Sequence, residues 1–272
     1  MRKLSGIIIN IMLISVCMGV IPAQADEVGR LTGRVLTTDG KPLSDGMVFF
    51  FRNDTGPAPR PERYWRVPDF INALDGEGRF SVKLPPGSYH IGAIKRKDGR
   101  KMVGPPDEGD LFYLSRSVTN EPVTFRVETG RVTDTGDLKG AVPYVRRYEG
   151  NITGVSGRVL NENGKPVEGA IVFAYPAPGM IGVPEFVSER TGKDGRYLLR
   201  VDRAGSYYLR VRSVYGGGPP MEGEIVGKFG ENAPAEVVLK TGRVKEGIDI
   251  KVRSFSYSEM MEKRKRIRDI GK

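Results

Sequence analysis

Arg60, Arg63, Tyr64, Trp65 and Arg66 are the residues of this chain whose types and spacing best suit holding a ligand. Aromatic rings stack on the apolar faces of sugars, and neighbouring guanidiniums match carboxylate or sulfate groups through paired hydrogen bonds. Together the five would suit an anionic polysaccharide. A second reading stays open beside it: Trp65 is tucked into its own fold, and the cluster is packing.

The remaining candidates offer little catalytic chemistry. His90 is the sole imidazole of the chain, so a hydrolytic triad or an imidazole metal site would have to use it. It lies between Tyr89 and Ile91 in a strand pattern, and if those two point inward it points to solvent. Asp134 and Asp137 have the spacing that opens an oxygen-rich calcium loop, but the further acidic ligands of such loops are missing. A polar turn is expected there. Asp75, Asp194 and Asn163 also read as turn residues. The single cysteine, Cys17, falls in a leader, so thiol chemistry is absent from the mature chain. No catalytic residue, no metal and no cofactor are expected, and the enzyme class is set aside.

That leader occupies residues 1–25. Arg2 and Lys3 precede the apolar run 7–21, and Ala23-Gln24-Ala25 forms a small-x-small cleavage site. The run is shorter than the roughly 20 residues of a membrane span. The mature protein is therefore expected to be periplasmic, on the cell surface or secreted. The formal net charge is +10, of which Arg2 and Lys3 leave with the leader. An exported basic protein meets anionic polysaccharide, lipid headgroups or acidic protein surfaces rather than nucleic acid. A solvated basic surface explains the same charge without any site.

The elements that must position these residues come twice. Gly33-Arg34-Val35-Leu36, Gly40-Lys41-Pro42, an apolar run at 47–51, Val67-Pro68-Asp69-Phe70-Ile71, Glu77-Gly78-Arg79-Phe80 and Gly87-Ser88-Tyr89 form the first set. Gly157-Arg158-Val159-Leu160, Gly164-Lys165-Pro166, a run at 170–174, Val183-Pro184-Glu185-Phe186-Val187, Asp194-Gly195-Arg196-Tyr197 and Gly205-Ser206-Tyr207 repeat it in order. Short stretches of period-two alternation separated by Gly and Pro turns predict β-strands throughout, at the spacing of a β-sandwich. Phe49 and Phe173 take matching places in the two apolar runs and are expected to fill the cores of their own modules. The first copy departs by an insertion at 54–66, where Trp65 stands against Ile181 of the second.

This order of pieces resembles the carboxypeptidase regulatory-like family. The resemblance implies transthyretin-like sandwiches of about seven strands and an accessory or binding role, and it brings no catalytic residues. The expected fold is thus all-β: two tandem Ig-like or transthyretin-like β-sandwich domains with a short C-terminal α-helix. Residues 26–140 form the first domain, 141–154 a linker, 155–255 the second, and 256–272 a basic C-terminal helix or tail. Expected partners are an envelope protein or an anionic polysaccharide, with a peripheral membrane or partner contact through the tail. Without cysteine, each module must be held by its own hydrophobic core.

Overall fold

A computed structural model of the chain describes residues 27–101, 103–215 and 218–270; the expected leader lies outside them. The first half contains β1 (Gly29–Thr37), β2 (Met47–Arg52), β3 (Phe70–Ala73), β4 (Arg79–Leu84), β5 (Gly87–Lys95), β6 (Leu111–Leu114), β7 (Phe125–Val127) and β8 (Val132–Pro143). The second contains β9 (Gly154–Asn161), β10 (Ile171–Tyr175), β11 (Phe186–Val187), β12 (Arg196–Arg200), β13 (Gly205–Arg212), β14 (Ile225–Lys228), β15 (Glu236–Leu239), β16 (Val244–Lys245) and β17 (Ile250–Ser254). A helix, α1 (Tyr257–Ile270), ends the described chain. The protein is all-β apart from that helix.

The repeat in sequence is a repeat in topology. The first half runs β3-β2-β5-β6-β8-β1-β4, with β7 on β5; the second runs β11-β10-β13-β14-β17-β9-β12, with β15 on β13. Each path folds over itself into a sandwich. Leu31, Val35, Val48, Phe50, Leu84, Tyr89 and Ile91 fill the first core, and Val155, Val159, Val172, Leu199, Tyr207 and Leu209 the second.

The repeated motifs have local causes. A Cβ on Gly33 would overlap Thr135 Oγ1 of β8, and one on Gly157 would overlap the Ile248 carbonyl just before β17, because the closing segment of each module presses against its first strand there. Gly78 and Gly195 sit at φ 71° and 69°, the left-handed region that glycine enters without steric cost. Tyr89 and Tyr207 each donate a hydroxyl hydrogen bond to the carbonyl four residues earlier, at 2.7 Å to Pro85 and 3.1 Å to Arg203. Asp75 and Asp194 accept backbone N–H groups within their turns, as expected.

Three local expectations need correction. Asp134 and Asp137 lie in β8, which pairs in parallel with β1, and the register slips between Asp134 and Asp137 at a bulge around Gly136. A bulge inserts an unpaired residue and blurs period-two alternation, which is why this strand read as turn and linker. The strand continues to Pro143 and the next begins at Gly154, so the connection is 144–153 rather than 141–154. Phe49 and Phe173 are buried, but outside their own sandwiches. Val48, Phe50, Val172 and Ala174 take the inward positions, and Phe49 and Phe173 belong to apolar clusters on the outer faces.

Phe50 is the better test of the first core, being fully buried with its ring 5.6 Å from that of Phe80. Phe50→Ala should destabilise the protein by about 3–5 kcal/mol in denaturant unfolding. A loss below about 1 kcal/mol would contradict the inward placement.

Candidate functional site

The insertion that carries the expected ligand residues is anchored by Arg66. This guanidinium is buried; it donates to the carbonyls of Gly56 (3.2 Å), Pro57 (2.8 Å) and Arg52 (2.6 Å), to Thr55 Oγ1 (2.7 Å) and to Asp69 Oδ2 (2.9 Å). It also lies over the Phe51 ring at 5.7 Å. One side chain with five donors in a rigid fork can satisfy this many acceptors, and so folds the loop back on its own module. A turn follows, with the N–H groups of Arg63 and Tyr64 both donating to Arg60 O at 2.8 Å.

That turn sends the next residues into the other module. Trp65 to Val67 run antiparallel to β11: Val187 N donates to Trp65 O at 3.0 Å, and Val67 N to Glu185 O at 3.1 Å. β11 is the outermost strand of its path, so a segment of the first module extends the sheet of the second. Tyr64, 2% exposed, enters the second core itself, edge-on to Phe186 with ring centroids 5.4 Å apart.

Trp65 packs beside it, 8% exposed, among Ile171, Phe173, Tyr175 and Val187. Its ring meets Phe112 at 5.9 Å and Tyr144 at 5.8 Å. Its indole N–H donates to Glu189 Oε1 at 3.1 Å. The same oxygen accepts from Arg200 Nη2 at 3.0 Å, while Arg200 Nη1 donates to Pro61 O at 3.0 Å. Arg200 is 1% exposed and stacks on the Tyr148 ring at 4.6 Å.

The structure therefore separates the five candidate residues. Arg60 and Arg63 are exposed, whereas Tyr64, Trp65 and Arg66 are buried. The ring faces that a sugar would need are covered by protein: Tyr64 by the second core, and Trp65 by Phe173 and Val187 of the second module together with Phe112 of its own. Glu189 and Arg200, which complete this contact, are absent from the sequence reading. Their one signal is positional, since Glu189 follows the edge strand where Ala73 stands in the first copy.

His90 also departs from expectation. It is 3% exposed, its Nδ1 lies 3.0 Å from Val123 O, and Nε2 is buried without a partner. The outer face of β5 is covered by chain, so a residue opposite to the core is not in water. Burial lowers its pKa, and Arg66 adds to the effect against the Val123 hydrogen bond. Among the described residues, no group of three or more His, Cys, Asp or Glu side chains could hold a metal ion. None of the described helices is long and apolar enough to cross a membrane.

No protein-family model matches the chain, and no curated protein matches it. Several solved structures overlap it weakly. The TIE protein of Bacillus anthracis is 12% identical over 83% of this chain and 34% of its own, with a TM-score of 0.24. A streptococcal ancillary pilin is 15% identical over 84% of this chain and 63% of its own, at 0.23. A minor pilin of Streptococcus agalactiae is 13% identical over 84% and 98%, at 0.24. The chain thus spans about a third of the first protein and under two thirds of the second. The fold assignment rests on the strand pairing of the chain itself.

Two outcomes follow from this contact. Trp65 is the only tryptophan, so its fluorescence reports the state of the contact directly. Residues 150–255 expressed alone lack Tyr64 and the Trp65–Val67 segment, and should melt at a lower temperature than the second module in the full chain. Equal melting would show the contact to be passive. For His90, the unfolded state takes up its proton first as pH falls, because the folded pKa lies below the ordinary 6.5. Its contribution is complete above that pH and is lost below it. The melting temperature should fall between about pH 7 and pH 5.5, with a shallower fall in His90→Gln.

Proposed function

We propose that this chain is an exported, non-catalytic structural component of the cell envelope, a spacer built from two carboxypeptidase regulatory-like sandwiches held as one body. The observation that carries the reading is the shared edge: a loop of the first module completes both the sheet and the core of the second. A catalytic or freely hinged pair has no need of that arrangement, whereas a spacer needs its modules held at a fixed angle. Export is supported by the leader pattern at 1–25, and the two-domain division by the repeat, with β8 carrying the first domain to Pro143 and β9 opening the second at Gly154. The partner is an envelope protein or an anionic polysaccharide. With Tyr64 and Trp65 covered, a glycan would have to meet the exposed Arg60 and Arg63 without ring stacking.

The C-terminal helix is the proposed attachment point. Its first turn is tied to the second module: Tyr257 N donates to Glu222 Oε2 at 2.7 Å, Tyr257 Oη donates to Pro220 O at 3.2 Å, and Arg253 pairs with Glu259 at 2.9 Å. Beyond that turn the sequence reads Lys263-Arg264-Lys265-Arg266, which an anionic surface would attract by about 1 kcal/mol per charge.

Cell fractionation tests the main reading. The protein should be recovered outside the cytoplasm with Asp26 as its first residue; cytoplasmic protein retaining Met1 would overturn export. Small-angle scattering should fit one rigid body, and a broad distribution of inter-module angles would overturn the spacer. Removal of 256–272 should leave both sandwiches folded and weaken sedimentation with anionic vesicles at low salt. Undiminished sedimentation would exclude the helix as the attachment.

A further inference from the structure

A second group of charged side chains gathers where the modules touch, apart from the Trp65 contact. Arg190 lies four residues beyond Phe186 in the second module. Its Nη1 donates to the carbonyls of Gly169 and Ser213 at 2.6 and 2.9 Å. Its Nη2 is buried and has no hydrogen-bond partner. The buried arginines Arg66, Arg96, Arg200 and Arg212 each have a carboxylate within 2.9, 2.7, 3.0 and 2.5 Å respectively. Among the described residues no carboxylate lies within ion-pair distance of Arg190.

Arg190 lines a cavity of about 20 Å³ together with Arg96, Arg100 and Asp107 of the first module. Arg96 is matched by the buried Asp110 at 2.7 Å, and Arg100 by Asp98 at 2.6 Å. Asp107, the one carboxylate on the cavity wall, is 3.8 Å from Arg96 and keeps 52% of its side chain exposed. Three guanidiniums thus meet around one half-solvated acid. Burial and the fields of Arg96 and Arg100 disfavour the charge on Arg190. Arginine does not shed its proton in proteins. Arg190 as a whole is half-buried, but its Nη2 is cut off from water, and a counter-charge beside that nitrogen would offset the lost hydration.

We propose that the cavity is a halide site, holding one chloride ion between Arg190 of the second module and Arg96 and Arg100 of the first. Its volume suits a single water-sized particle and is too small for phosphate or sulfate. A water molecule would accept the Nη2 hydrogen bond but would leave the charge uncompensated. Because the walls come from both modules, the ion binds only when they are docked, and so stabilises that arrangement by mass action.

The test compares the full chain in sodium chloride and in sodium gluconate at equal ionic strength, so that screening is the same in both. The melting temperature should be higher in chloride by about 2–4 °C, with bromide replacing chloride. Arg190→Gln should abolish the difference. Should that variant fail to fold, Arg100→Gln, at the exposed side of the cavity, should reduce it. Crystals grown in bromide should show an anomalous peak beside Arg190. Equal melting in the two salts, a chloride effect retained in the variants, or a cavity occupied only by water would each overturn the proposal.

Discussion

The constraint on which the rest of this molecule depends is the open edge of a two-residue strand. β11 is too short to shield the sheet behind it, and an unpaired edge beside Phe186 and Tyr207 would expose both backbone groups and aromatic core. The protein closes that edge with its own upstream loop. Trp65 to Val67 supply the backbone partners, and Tyr64 supplies the missing core volume. This is strand addition within one chain, with main-chain hydrogen bonds fixing the line of the segment and alternate side chains filling pockets. The second sandwich is complete only in the presence of the first.

Polar groups then fix the register of what the apolar contact makes adhesive. Glu189 Oε1 accepts from both the Trp65 indole and the Arg200 guanidinium, and Arg200 also holds Pro61 O. Desolvating such an ion pair offsets most of its attraction, so its contribution to stability is small beside that of the buried rings. Its contribution to geometry is larger. A loop slipped by one residue would turn Trp65 away from Glu189 and take Pro61 O from Arg200 Nη1, leaving buried donors without acceptors, which is strongly unfavourable.

The sandwiches were legible in the sequence because each repeated piece has a cause local to its module. Gly33 and Gly157 answer to a close approach by the closing segment of the module, and Tyr89 and Tyr207 to a turn four residues back. The module contact was illegible for the opposite reason. Its partners stand 124 residues apart at Trp65 and Glu189, and nothing periodic links them. Phe49, Phe173 and His90 were misplaced by one shared assumption, that the face turned from a core is turned to water. Strand alternation gives the face of a side chain; what covers that face comes from distant chain: Val103 and Phe112 beside Phe49, Val123 beside His90, and Trp65 and Val67 of the other module beside Phe173.

The same contact changes how the charge of the chain is understood. An excess of basic residues suggests a surface for polyanions, yet four of the described cations, Arg66, Arg96, Arg200 and Arg212, are buried, and all are arginine. Lysine would serve poorly at these places. A single ammonium offers three donors from one point, whereas Arg66 alone reaches five separate acceptors and Arg200 bridges a carbonyl of one module to a carboxylate of the other. Part of the basic character is therefore structural: planar guanidiniums act as struts where loops without regular hydrogen bonding must be held. The charge left for partners is that of the solvated residues, and it lies on the surfaces where Arg60, Arg63 and the start of α1 are exposed.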